Sequence, residues 1–169
     1  MVARRKTDVP TGPHATELAA LVRFLRKLLG DGDAVPEVPG VSFLLHVPPL
    51  SESSAIERGL PASAWRYLQR VGFTREEIAS VVGNSAKTIR RKESRSERLD
   101  ISEGDRTMRL LRITVEAIEA IGDANKAVQW MRRSNLALAG QTPLAALATE
   151  AGTALVRRAL GVIAYGGIA

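Results

Sequence analysis

The residues best placed to do chemistry lie between Thr74 and Glu93, in the stretch TREEIASVVGNSAKTIRRKE. An apolar-faced helical pattern stops at Gly83-Asn84 and restarts as a helix carrying Lys87, Arg90 and Arg91. From Ser85 to Arg98 there are six Lys and Arg against two acidic residues. A core helix needs no such bias, whereas a helix facing phosphate does. The spacing is that of a helix-turn-helix, in which a first helix braces a second that enters the major groove. Ile78, Val82 and Ile89 are the inward residues of that pair. Ala79 and Gly83 are the small residues its close crossing needs. Ser85, Ala86, Lys87, Arg90 and Arg91 then face outward as candidate DNA contacts, with the helix N-terminus adding its own positive potential. The plainer reading is a helical hairpin whose basic face is simply solvated. Two positions depart from the usual motif. Asn84 stands where a buried aliphatic is common, and Lys92 where an apolar contact is common, which implies looser packing or a register shifted by one.

Other chemistry is poorly supplied. The two histidines, His14 and His46, lie far apart and without metal-ligand spacing. No cysteine is present, which excludes disulfides and thiolate metal sites. No nucleophile motif or phosphate-binding glycine loop appears. Glu116 and Glu119 share a helix face, but one carboxylate pair is commonplace on a solvated surface. Neither catalysis nor a cofactor is expected.

The elements that must position the basic helix are themselves helical. The chain has 169 residues, 45% of them apolar and only 4% aromatic, and carries a net charge of +6. That composition favours small-residue helix packing and permits an anionic partner. A helical pattern runs from His14 to Leu29, followed by a connector holding Pro36, Pro39, Pro48 and Pro49. The next helix is expected from about Pro61, with Trp65 and Leu68 in the core. Thr74 and Glu77 have the form of a capping box, and Ser85 can cap the basic helix. The stretch 94–105 reads as a charged loop, with a long amphipathic helix from about Asp105 to Ile121. Gly122 stops that helix and Asp123 caps another, on which Trp130 is expected to anchor the core. Asn135 and Thr142 should organise a loop through local backbone bonds, and Pro143 a helix start. The last helix spans about 150–164, with Leu155, Leu160 and Ile163 as its apolar positions. It ends in the glycine-rich tail Tyr165-Gly166-Gly167-Ile168-Ala169. The fold class is all-α. MVARRKTDV is basic but no apolar signal-peptide core follows it, and no apolar run approaches membrane-spanning length, so a cytoplasmic protein is expected.

From about residue 57 to 167 the chain resembles the MbcA/ParS/Xre group of antitoxins. The specific features are Gly122-Asp123 with Ala127 and Trp130, then Asn135-Leu-Ala-Leu-Ala-Gly-Gln-Thr-Pro143-Leu144, then Ala164-Tyr165-Gly166. Met131 and Ser134 stand where family members usually carry Leu and Pro, and Val162 and Ala164 where polar residues are common. The resemblance implies an Xre/Cro-like helix-turn-helix followed by a small helical toxin-binding domain. It further implies a cognate RES-domain toxin that consumes NAD, promoter DNA bound by a homodimer, and a C-terminus that blocks the toxin's cleft. The domains would be an accessory helix and linker at 1–53, the DNA-binding unit at 54–105 and the toxin-binding unit at 106–169. The residues themselves leave Arg157 and Arg158 either solvated or partner-facing, and the tail either frayed or a plug. With the resemblance, Arg157, Arg158, Tyr165, Gly166 and Gly167 become the candidate toxin contacts. A stand-alone regulator with a C-terminal dimerisation or sensing domain, and an adaptor using the helix pair for protein contacts, are the competing readings.

Overall fold

The computed structural model describes residues 49–166 together with Ala20, Arg23 and Phe24. His14, His46, Gly167 and most of the helix expected over 14–29 lie outside the described residues. Among those described there are eight α-helices: α1 Pro49–Glu57, α2 Ala64–Val71, α3 Arg75–Val82, α4 Ala86–Ser94, α5 Ile101–Ile121, α6 Ala124–Arg132, α7 Pro143–Ala146 and α8 Glu150–Ala164. A single 3₁₀ turn, Leu136–Leu138, stands between α6 and α7. The fold is all-α, with one isolated bridge between Pro61 and Arg98.

Helix α5 is the axis, packed by α8, α6, α3, α1 and α2. Leu110, Leu111, Ile113, Val115 and Ala117 are wholly buried along it. Burial on several sides turns an amphipathic pattern into a central helix. Trp65 is equally buried, and its indole N–H donates to the Thr107 hydroxyl at 2.9 Å. That bond satisfies a polar atom whose burial alone would be costly. The same core continues from α2 and α3 through α5 to α6, α7 and α8. At the periphery Phe24 stacks on Tyr67 of α2, with ring centroids 4.4 Å apart.

Three sequence expectations need correction. The helix expected from Pro61 begins at Ala64, because Pro61 is held in the bridge with Arg98 and Ala62 N–H donates to Glu97 O. The stretch 94–105 is not wholly loop, since α5 starts at Ile101. Asp100 and Glu103 form a capping box there, each satisfying a backbone amide of the other (2.9 Å both ways). Trp130 is only partly buried at the edge of the core, and Met131 beside it is the fully buried residue.

Candidate nucleic-acid interface and partner-binding face

The basic helix is placed by the hairpin before it. Thr74 and Glu77 make the expected capping box at the start of α3, and Ile78, Ala79, Val81 and Val82 are buried along that helix. Gly83 ends α3 in the left-handed conformation, at φ +76°. A side chain there would be strained and would also collide with the Arg106 guanidinium, which donates to Val82 O at 3.3 Å. The chain then turns sharply. Ser85 caps α4 by accepting from Thr88 N–H at 3.1 Å.

Of the five candidate DNA contacts, Ser85, Lys87, Arg90 and Arg91 are exposed and Ala86 is half-buried. Ser85 spends its hydroxyl on the cap and on Thr88 Oγ1. Arg91 lies 3.8 Å from the Glu97 carboxylate, a loose and exposed pair that a phosphate could displace. The Lys87 and Arg90 side chains are exposed on the outer side of α4. The face of α4 that carries them is cationic and open to solvent.

The two misfit residues have a common explanation. Asn84 Nδ2 donates to Glu103 Oε1 at 2.7 Å, and Lys92 Nζ donates to both oxygens of the same carboxylate at 2.7 and 2.6 Å. Glu103 is buried in the first turn of α5. The motif's register therefore stands, and its two polar departures replace apolar contacts with one buried charge cluster. Nothing in local spacing links Asn84 to Glu103, so sequence reasoning missed it. The Asp100-Ile-Ser-Glu103 cap signature was the available signal.

At the other end, the expected C-terminal contacts separate. Arg157 is half-buried and holds both Glu116 oxygens at 3.2 Å, tying α8 to α5. Glu116, which in sequence looked like one of a surface pair, is thus an internal partner. Arg158, Tyr165 and Gly166 are exposed. Leu155, one of the apolar positions expected of the last helix, is 42% exposed, and Val162 is 44% exposed. Leu155, Arg158, Val162 and Tyr165 recur at steps of three, four and three residues, which places them along one side of α8. The 3₁₀ turn packs beside α8 and presents Leu136, which is 95% exposed. Its loop is held by Asn135, whose side chain accepts from Ala137 N–H at 2.8 Å. This apolar stripe is the face that sequence reading missed; the seven-residue step from Leu155 to Val162, parallel to the step from buried Val156 to partly buried Ile163, was the signal.

Two family descriptions match these two regions. The Antitoxin Xre-like helix-turn-helix domain matches residues 51–112, and the Antitoxin Xre/MbcA/ParS C-terminal toxin-binding domain matches residues 116–166. Both matches are to domains of the Xre/MbcA/ParS antitoxin family. Among similar proteins, Antitoxin Xre of Pseudomonas putida is 29% identical over 128 residues, covering 73% of this chain and 79% of that protein. Antitoxin Xre of Photorhabdus laumondii subsp. laumondii is 28% identical over 116 residues, covering 68% and 78%. The family is one of antitoxins rather than enzymes. Among the described residues, no cluster of His, Cys, Asp and Glu could hold a metal, and no helix is long and apolar enough to cross a membrane.

Proposed function

We propose that this protein is an antitoxin that binds and neutralises a cognate RES-domain, NAD-consuming toxin and represses its own operon. In this reading residues 54–105 bind promoter DNA in the cytoplasm as part of a homodimer, and residues 106–169 grip the toxin. Ser85, Ala86, Lys87, Arg90 and Arg91 face the duplex. Arg158, Tyr165, Gly166 and Gly167 face the toxin, the tail entering its active-site cleft, while Arg157 holds α8 in place through Glu116. The observation that supports the reading is the succession on one chain of an open cationic helix and an exposed apolar stripe, inside segments matched to a helix-turn-helix and a toxin-binding domain.

Co-expression with a RES-domain protein encoded beside it should give a stable complex and restore growth. Removing residues 165–169 should abolish the rescue and leave promoter binding intact, because the deletion spares buried Ala159 and Leu160. Full rescue by the shortened chain would discard the plug, and the lack of any complex would discard the antitoxin reading. Lys87→Ala and Arg90→Ala should each weaken promoter binding and reduce the salt slope by about one, as fewer counterions are released. Unchanged binding in both would remove these residues from the interface.

A further inference from the structure

The helix expected to read DNA is thinly held by apolar packing. Only Ile89 and Glu93 of α4 are buried, and among the described residues α3 is the one helix it packs against broadly. One apolar anchor lets a nine-residue helix roll and tilt about the contact. What restrains those motions is polar. Glu103, on α5, binds Asn84 just before α4 and Lys92 in its last turn, and also accepts from Asp100 N–H at 2.9 Å. On the adjacent side Glu93 accepts from Gln69 Nε2 of α2 at 2.6 Å and Arg75 Nε of α3 at 3.3 Å. Such bonds are directional where apolar contact is not.

We propose that Glu103 is a positioning residue for DNA reading: by holding Asn84 and Lys92 it fixes the roll and tilt at which α4 presents its outer face. The inference rests on the reading that α4 enters a duplex. A buried ion pair adds little net stability compared with a well-packed apolar pair, but it can specify one arrangement among several. Base contacts need distances within a few tenths of an ångström, whereas attraction to phosphates tolerates a misplaced helix. Loss of the cluster should therefore erase sequence discrimination before it erases DNA binding.

The test uses the full chain with the volume-matched double substitution Lys92→Met/Glu103→Leu and the conservative Lys92→Arg. The probes are the duplex upstream of the protein's own coding sequence and a scrambled duplex of equal length and composition. The double variant also gives up the Asp100 cap and the Asn84 bond, so it should unfold a few degrees below wild type while remaining folded at the assay temperature, and it should bind the scrambled duplex within about twofold of wild type. It should lose about tenfold or more in affinity for the promoter duplex. Lys92→Arg should keep most of the promoter affinity. Wild-type promoter affinity in the double variant, or equal loss on both duplexes, overturns the proposal. If wild-type protein itself fails to discriminate the duplexes, the DNA reading fails, and amide exchange without DNA decides the positioning role. Faster exchange confined to α4 in the double variant supports it, and unchanged exchange there overturns it.

Discussion

Replacing Glu77 should expose how the two matched segments are joined. Glu77 sits at the third position of α3 and accepts from Thr74 N–H at 2.8 Å to complete the capping box. It also receives Arg132 Nε at 2.5 Å and Nη2 at 2.8 Å, and Arg132, in the last turn of α6, donates in addition to Gly72 O at 2.8 Å. One carboxylate thus caps the brace helix and staples it to the helix that ends 55 residues later. The Arg132 side chain is 37% exposed, so water screens the pair, and its bidentate geometry places it near the top of the exposed range, about 1 kcal/mol. The cap contributes about 1 kcal/mol more. Glu77→Gln retains a capping acceptor and loses the charge, so it should cost about 1 kcal/mol. Glu77→Ala loses both and should cost about 2 kcal/mol. At this chain length those values lower Tm by about 3 and 6 °C.

The pH dependence carries a sign. The Arg132 hydrogen bond holds the Glu77 carboxyl below its usual value of 4.5; burial opposes this, and the Thr74 N–H and the Arg132 charge reinforce it. The folded state therefore binds this proton less readily than the unfolded chain. The stabilisation is complete above the unfolded value and is lost as pH falls through the lower folded value. Thermal unfolding by circular dichroism, with Glu77→Gln, Arg132→Ala and the pair together, measures it. At pH 7 the cycle should give a coupling of about 1 kcal/mol, and near pH 3 the gap between wild type and Glu77→Gln should shrink. A coupling under about 0.3 kcal/mol at pH 7, or a gap that does not change with acid, would refute the reasoning.

Gly83→Ala should lower stability by about 1–2 kcal/mol, because φ is +76° and the new methyl displaces Arg106; denaturant unfolding checks it, and a neutral result would mean the turn is more plastic than drawn. Thr107→Val leaves the buried Trp65 N–H without its acceptor and should cost about 1–3 kcal/mol, visible as a lower unfolding midpoint and altered Trp fluorescence. Leu155→Asp with Val162→Asp should leave Tm within about 1 °C, since both side chains are well exposed, while abolishing capture of the toxin in a pull-down. Capture at wild-type yield would take the α8 stripe out of the interface.

Elements whose signals are local were legible from the residues alone. Thr74, Ser85, Asp123 and Thr142 each accept from the backbone amide three residues on, as their types and places predict. The inward set Ile78, Val82 and Ile89 is buried as helical period requires. What escaped was pairing at a distance. The density of charge in SRSERLDISEGD reads as solvated loop until Glu103 is seen to be consumed by Asn84, Lys92 and Asp100. Likewise Arg157 reads as surface until Glu116 meets it from α5. A charge run informs about water only for residues that no other element reaches, and that condition is tertiary. The same logic turns an apparent defect into information. Asn84 and Lys92 were anomalous against the motif because the motif assumes an apolar mount. A polar residue at a mount position obliges a partner, since an unpaired buried amide or ammonium would cost more than the helix gains. Two such residues eight positions apart, at opposite ends of one short helix, oblige a partner able to span both. A carboxylate held rigid in the first turn of α5 meets that requirement, and it makes the orientation of α4 depend on the helix that also runs beneath the partner-binding lobe.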